Sequence, residues 1–183
     1  MVHHLSRVWA VPELQRLRAD HGAAVLAFEL ANRGYFAAFI SDRGDEFYQQ
    51  FTEVHDELLA EQEAGRSAYY VLVDDDGSVV GRFNLYDIKD GTAVLGYRVA
   101  QHVAGRGVAT AAVRDLCRLA AAQHGLRTLK AATTHENVAS QRVLVKAGFV
   151  PVGPADIVGQ RGTWYQRDLA RTDPDQGRPR RTR

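Results

Sequence analysis

A turn containing two glycines, between a predicted strand and a predicted helix, is the first place where the residue types indicate chemistry. β-branched, aromatic and apolar residues predict a strand over residues 93–99, and apolar residues at helical spacing predict a helix from residue 108 to about residue 124. The first N–H groups of such a helix have no intrahelical partner and carry the positive end of its dipole. Gly105 and Gly107 have no Cβ, so a bulky ligand can approach the backbone, and Arg106 adds a positive charge. The pattern therefore indicates a site for a phosphate or pyrophosphate.

Two common phosphate-binding motifs do not match this turn. A Walker loop would end in Gly-Lys followed by Ser or Thr, and that ending is absent here. The dinucleotide-binding fingerprint needs a third glycine where this chain has Thr110, and it needs an acidic residue about 20 positions further on, which is missing at the end of a second strand. Both interpretations are rejected.

The turn and a second motif downstream resemble those of the GCN5-related N-acetyltransferases (GNAT). The family's pyrophosphate loop has the signature Gln/Arg-x-x-Gly-x-Gly/Ala; Gly107 and Ala109 occupy its last two fixed positions, and Ala104 departs from the first. Residues 137–149, Asn-Val-Ala-Ser followed by Gly-Phe, resemble a later family motif. Residues 95–99 and 32–36 are similar to the RimJ/RimL-like ribosomal-protein-alanine acetyltransferases, and the resemblance covers roughly residues 8–168.

This resemblance implies a fold and a cosubstrate. The fold is α/β (α+β), a mixed and mostly antiparallel sheet with helices on both faces, and the acetyl donor is acetyl-CoA. The pyrophosphate would bind at the glycine turn, the backbone of residues 97–99 would pair with the pantetheine arm, and Asn137 would bind the arm from the other side. The residues expected to bind acetyl-CoA are Arg98, Val99, Gly105, Arg106, Gly107, Val108, Ala109, Thr110, Asn137 and Ser140.

The resemblance also implies acetyl transfer to an amine, and this reaction needs groups for charge and for protons. An amide of the strand before the turn would stabilise the negative charge that develops on the acetyl oxygen. Ser140, one turn into its helix, would donate to the departing sulfur; the alternative is a backbone bond within the first turn. Candidates for the base are His135, Glu136, Asp87 and Tyr97. The first two follow a predicted strand at its carboxyl end, where sites often lie, but a solvated loop is an equal alternative.

The ionisation of the acceptor bears on its identity. An α-amine has a pKa near 7.8 and a lysine amine has one near 10.4. Deprotonating the lysine at neutral pH therefore costs about 3.5 kcal/mol more. Because no base is obvious, we expect the N-terminal α-amine of a protein or peptide as acceptor. A small-molecule amine, such as an antibiotic or a polyamine, stays open, as does a non-catalytic module that binds acyl-CoA; a working proton path through Ser140 would distinguish an enzyme from that module.

Periodicity and turn signals predict the elements that position these residues. Asp20 precedes a helix of about a dozen residues that ends at Gly34, Gly125 ends the helix that follows the glycine turn, and Asn137 caps a short helix. The predicted order is β-α-α-β-β-β-α-β-α-β-β. Its remaining elements are strands at 8–11, 69–73, 79–86, 129–133, 149–152 and 162–169, and helices at 45–63 and 138–147.

Composition limits the class of protein. With 183 residues, 45% of them apolar and 25% charged, residues 1–171 are expected to form a single domain. The net charge of +1 gives no general attraction to nucleic acid or membranes. Cys117 is the only cysteine and is interpreted as a core residue, and no metal-binding pattern is found.

The sequence also predicts the properties of the two termini and the location of the protein. Residues 1–10 lack a signal peptide, no apolar stretch is long enough to cross a bilayer, and a cytoplasmic location is expected. Residues 172–183 are polar and rich in arginine, which predicts a disordered basic tail. Nucleic-acid or ribosome binding by this tail is the less favoured alternative, and the oligomeric state is left open.

Overall fold

The structure is a computed structural model, and it describes residues 11–170. The predicted C-terminal tail and most of the predicted first strand lie outside the described residues. Seven strands form one sheet in the order β1-β2-β3-β4-β5-β7-β6. The strands are β1 (Glu13–Arg16), β2 (Ala68–Val73), β3 (Val79–Lys89), β4 (Thr92–Val99), β5 (Thr128–Thr134), β6 (Val150–Ile157) and β7 (Gln160–Asp168). The helices are α1 (Gly22–Ala31), α2 (Arg33–Phe36), α3 (Asp45–Gln49), α4 (Phe51–Glu63), α5 (Val108–His124) and α6 (Val138–Lys146), with 3-10 turns at Ala19–His21 and Gln101–Val103.

The sheet is mixed and mostly antiparallel, as the resemblance implied. Only β4 and β5 run parallel, and they are joined through α5. Side-chain contacts place helices on both faces, since successive strand residues point to opposite sides. On one face Glu29 of α1 pairs with Arg82 of β3, and Tyr69 of β2 donates to a carboxylate of α4. On the other face the hydroxyl of Tyr70 lies 2.8 Å from Nε2 of His124 in α5.

β4 and β5 separate along their length. Their pairing covers only residues 92–94 against 128–130. Beyond this point β4 continues to pair with β3 as far as Val99, and β5 continues to pair with β7 as far as Thr134. A V-shaped gap therefore opens in the middle of the sheet, and one backbone edge of β4 faces it.

The apolar core fills both sides of the sheet. Its fully buried side chains include Phe83 of β3, Leu116 of α5, Leu129 of β5 and Leu144 of α6. Burying a side chain of this size stabilises the folded state by about 1.5–3 kcal/mol. Cys117 is buried in the core, as predicted. Among residues 11–170, no helix is long and apolar enough to cross a membrane.

In the first half of the chain, two predicted elements need correction and one strand was not predicted. The predicted helix 45–63 is interrupted at Gln50, whose φ and ψ of −101° and 24° leave the helical region. Gly34 does not end the first helix but lies inside α2; α1 ends at Ala31 because the buried side chain of Asn32 donates to the carbonyl of Phe28. Within the described residues, β1 comes first and was not predicted; its polar sequence adopts strand geometry by pairing at the sheet edge.

The second half follows the prediction closely. α5 begins after Gly107, and Gly125 ends it in a left-handed conformation with φ of 61°. Asn137 is the N-cap of α6, since its Oδ1 accepts from the N–H of Ser140 at 3.1 Å. The largest difference here is β6, which extends to Ile157 because it pairs with β7 along its whole length.

Candidate active site

A cavity of about 360 Å³ lies at the gap between β4 and β5. It is bordered by α2, the C-terminal end of β4, the glycine turn, the first turn of α5 and one face of α6. It brings together most of the residues that the sequence pointed to. Those that line it are Tyr97, Arg98, Val99, Gly105, Gly107, Ala109, Thr110, Asn137 and Ser140.

The glycine turn opens the N-terminus of α5 to this cavity. Gly105 and Gly107 have φ of +74° and +79°, a left-handed conformation that side chains rarely adopt. A Cβ built at either position meets no heavy atom of the protein within 4 Å. No side chain caps α5, so its first N–H groups are available to an anion. The turn therefore has the space and the donors that a pyrophosphate requires.

The unpaired edge of β4 supplies a second set of polar groups. The N–H of Ala100 donates to Val80 of β3 at 2.8 Å, and the register between the strands is regular from Val99 back to Val94. Because backbone groups alternate between the two edges of an antiparallel strand, the N–H and C=O of Tyr97 and Val99 point away from β3. They face the gap, where an extended polar chain can pair with them.

Tyr97 and Ser140 form a hydrogen-bonded pair across the cavity. The Tyr97 hydroxyl lies 3.0 Å from Oγ of Ser140, and its ring stacks on Phe83 at 5.6 Å between centroids. Burial raises the pKa of Tyr97 to about 12, so the phenol keeps its proton at neutral pH and is a poor base. The alternative role for Ser140, a backbone bond in the first turn, is not the contact observed for its hydroxyl. Its own N–H is held by Asn137.

Arg98 lies beside this pair, on the other face of β4. Its guanidinium contacts Oε1 of Glu29 at 2.8 Å and lies 5.2 Å from the ring centroid of Phe36. Glu29 is 1% exposed, and the same oxygen pairs with Arg82 at 2.7 Å. Two guanidinium groups thus share one buried carboxylate, which leaves a net positive charge beneath the cavity.

Two parts of the cavity wall were not predicted from the sequence. The first is an apolar and aromatic group from α2 and the segment after it, and the second is a pair of cations on α6. The cations, Arg142 and Lys146, are one helical turn apart on the face that also presents Ala139 and Val143. Helical spacing from Asn137 would have identified that face. The apolar group consists of Tyr35, Phe36, Phe39 and Ile40.

Four of the predicted site residues do not line the cavity. Arg106 and Val108 lie in the turn and at the start of α5, so they can contribute backbone N–H groups and, for Arg106, an exposed charge. His135 and Glu136 are exposed after β5, where His135 contacts the hydroxyl of Thr163 at 3.2 Å. The structure matches the solvated-loop alternative for this pair. Asp87, a further candidate base, is also exposed and does not line the cavity.

Three carboxylates meet in the turn between β2 and β3. Among residues 11–170, Asp74, Asp75 and Asp76 are the one group whose spacing could hold a metal ion, with ligand atoms within 4.8 Å of one another. Their oxygens accept bonds from the turn itself, including one from the N–H of Ser78 at 2.8 Å. These bonds account for the group as part of the hairpin turn.

Comparison with known proteins agrees with this geometry. Residues 13–150 match the family model described as an acetyltransferase (GNAT) domain. The chain is 30% identical over 161 residues to the probable N-acetyltransferase YjcK of Bacillus subtilis (strain 168), a match that covers 82% of this chain and 87% of that protein.

Solved structures share the fold at lower identity. A ribosomal-protein-S5-alanine acetyltransferase from Vibrio fischeri superposes with a TM-score of 0.82 at 18% identity, over 90% of this chain and 97% of that one. A spermidine N-acetyltransferase from Vibrio cholerae, in complex with CoA and spermine, gives a TM-score of 0.73 at 16% identity, over 87% and 96% of the two chains. At such identities the likeness is one of fold, and the two proteins act on acceptors of different classes.

Proposed function

Since the chain belongs to the GNAT acetyltransferase family, we propose that it transfers the acetyl group of acetyl-CoA to the N-terminal α-amine of a protein or peptide. The family is one of N-acetyltransferases, and this favours an enzyme over the non-catalytic module considered from the sequence. The observation that carries the acceptor proposal is the charge of the cavity. Its charged lining residues are Arg98, Arg142 and Lys146, and no Asp or Glu of residues 11–170 lines it.

This charge separates the two acceptor classes. A polyamine carries several positive charges and needs carboxylates to replace its hydration. Arg98, in a cavity without a lining carboxylate, instead opposes its entry, because like charges repel. An extended peptide, in contrast, carries a single charge at its amino terminus. Its first side chain can pack against the apolar group of Tyr35, Phe36, Phe39 and Ile40.

The same cations favour a donor with phosphates. We assign the pyrophosphate to the N–H groups at the start of α5, where Gly105 and Gly107 leave the backbone open. Arg142 and Lys146 add positive charge on the adjoining face of α6. The backbone of Tyr97 and Val99 would pair with the amides of the pantetheine arm, and the side-chain NH₂ of Asn137 would approach it from α6.

The chemistry then divides among few groups. Acetyl-CoA supplies the acetyl group as a thioester. A bond forms between the acceptor nitrogen and the carbonyl carbon, the bond from that carbon to sulfur breaks, and one proton passes in net from nitrogen to sulfur. A β4 amide stabilises the charge on the carbonyl oxygen. Tyr97 holds its proton firmly because its pKa is raised. When its hydroxyl donates to Oγ of Ser140, 3.0 Å away, the serine O–H is free to donate to the departing sulfur.

A pair of peptides tests the acceptor. One peptide has a free N-terminus and an internal lysine, and the other differs only in a blocked N-terminus; spermidine is the third acceptor. We expect acetylation of the free peptide alone, at its α-amine, as located by mass spectrometry. Comparable acetylation of the blocked peptide, or a preference for spermidine, would contradict the proposal.

A further inference from the structure

The Glu29–Arg82–Arg98 network is the most deeply buried ionic group that reaches the cavity. The side chains of Glu29 and Arg82 are 2% and 4% exposed, and that of Arg98 is 16% exposed. Arg98 alone of the three lines the cavity. Burying charge in this way is costly unless each partner is paired, so the arrangement holds the Arg98 guanidinium in one place at the cavity wall.

The surroundings compensate this cation only in part. Glu29 supplies one negative charge for two arginines. Burial lowers the pKa of Arg98 to about 10, against the opposing effect of Glu29, so the side chain stays charged between pH 6 and pH 9. The titratable groups that face Arg98 or share its cavity are Glu29 of α1, Tyr35 of α2, Arg43 before α3, Tyr48 of α3, Arg82 and Tyr86 of β3, Tyr97 of β4, and Arg142 and Lys146 of α6.

Among residues 11–170, the cavity also lacks a carboxylate or histidine that could act as a base. Within the described part of the chain its titratable lining residues are tyrosines, arginines and a lysine. Tyr97 holds its proton, while His135 and Glu136 lie outside the lining. The acceptor must nevertheless lose a proton before it can attack.

We propose that Arg98, held in place by Glu29, makes the protonated form of the bound acceptor amine unfavourable and so replaces a general base. A fixed positive charge close to an amine disfavours the ammonium form and favours the neutral one. The proton passes to water as the amine binds, and the neutral nitrogen then attacks. This inference rests on the proposed function, since it needs an acceptor with a single amine near Arg98. Arg98 acts on the acceptor directly, and Glu29 is a positioning residue.

Two pH profiles measure the effect. With the free peptide and saturating acetyl-CoA, kcat/KM follows the ionisation of the free amine, and kcat follows that of the bound amine. The midpoint of kcat/KM should therefore lie near the α-amine pKa, about 7.8. In the wild type we expect the midpoint of kcat to lie about one pH unit or more below it. Single-turnover rates, measured with enzyme in excess over acetyl-CoA, should give the same pH midpoint as kcat if the kcat profile reports the chemical step.

Substitutions then move the kcat midpoint in opposite directions. Arg98→Met removes the cation and should bring the midpoint of kcat back to that of kcat/KM, with about a tenfold loss of kcat at pH 6 and little loss above pH 9. Arg98→Lys keeps the charge and should retain the displaced midpoint. Glu29→Gln removes the compensating anion and should lower the midpoint further. Arg118→Met, at an exposed ion pair with Asp115, is the matched control and should change nothing.

A purely structural role gives a different result. Arg98→Met would then reduce kcat by the same factor at every pH, and the Glu29 and Arg98 variants would act in the same direction. Either outcome overturns the inference, as does a wild type in which the two midpoints coincide while the peptide is acetylated. If Glu29→Gln fails to fold, the comparison of Arg98→Met with Arg98→Lys still decides. A wild type that acetylates spermidine and not the peptide overturns the proposed acceptor, and this inference with it.

Discussion

Replacing Gly107 by valine tests the assignment of the pyrophosphate site. Gly107 has φ of +79° and a Cβ there would point into open space, with no protein atom within 4 Å. The substitution thus has two separable costs. A left-handed conformation costs a non-glycine residue about 1–2 kcal/mol, and for a chain of this size each kcal/mol lowers Tm by about 2–4 °C. Because the Cβ meets no atom beyond its chain neighbours, we expect any further cost to appear only when a ligand is bound.

Gly159 provides a matched control for this experiment. It lies in the turn between β6 and β7, has the same φ of +79°, and likewise has no atom within 4 Å of a built Cβ. Gly159→Val should lower Tm by about as much as Gly107→Val, about 2–8 °C, without changing the affinity for acetyl-CoA. Gly107→Val should in addition weaken acetyl-CoA binding at least tenfold, which corresponds to about 1.4 kcal/mol. Isothermal titration calorimetry on folded proteins gives the affinities, and thermal denaturation without ligand gives Tm.

Two results would refute the reasoning. Unchanged affinity in a folded Gly107→Val protein would show that the phosphates bind elsewhere. An equal loss of affinity in both variants would show that the effect comes from general loosening of the fold and not from the turn. A loss confined to Gly107→Val supports the assignment.

Three further predictions follow from the same cavity. Ser140→Ala should lower turnover about a hundredfold with acetyl-CoA affinity nearly unchanged, because the proposed bond to sulfur matters in the transition state; unchanged steady-state turnover would reduce Ser140 to a structural residue. Asn137→Ala should lose about 1 kcal/mol of stability with its N-cap and also weaken acetyl-CoA binding. Asn137→Asp retains the capping oxygen and should recover the stability but not the affinity, as measured by denaturation and calorimetry. For an α-amine peptide, kcat/KM should rise with pH and level off near 7.8, whereas a lysine acceptor would keep the rate rising to about pH 10.

Several elements could be predicted from the sequence because their causes are local. The boundaries of α5 depend on Gly107 and Gly125, which take left-handed conformations within a few residues of the apolar helical pattern. The hairpin between β2 and β3 depends on an Asp-Gly pair in its turn, and the start of α6 depends on the capping oxygen of Asn137. Short-range hydrogen bonds and backbone preferences determine these features, so a single sequence is enough to locate them.

Other elements depended on contacts that the local sequence does not contain. The polar β1 is a strand because it pairs with β2, 54 to 60 residues later. α1 ends at Ala31, and the next side chain, that of Asn32, also accepts from the distant N–H of Gln101 at 2.9 Å. Strand or helix propensity cannot reveal such pairings, since tertiary context overrides it.

The site divides in the same way. The glycine turn, Asn137 and Ser140 belong to contiguous motifs, so the sequence alone located the turn and the capped helix that border the cavity and predicted a phosphate site at the turn. Only the tertiary structure decided that β4 and β5 part after residues 94 and 130, that Tyr97 reaches Ser140, and that Glu29 joins Arg82 to Arg98. Glu29 is 53 positions from Arg82 and 69 positions from Arg98 along the chain. The strength of these ion pairs comes from burial, which removes water from the charges, and burial is a property of the folded chain that no local stretch of sequence carries.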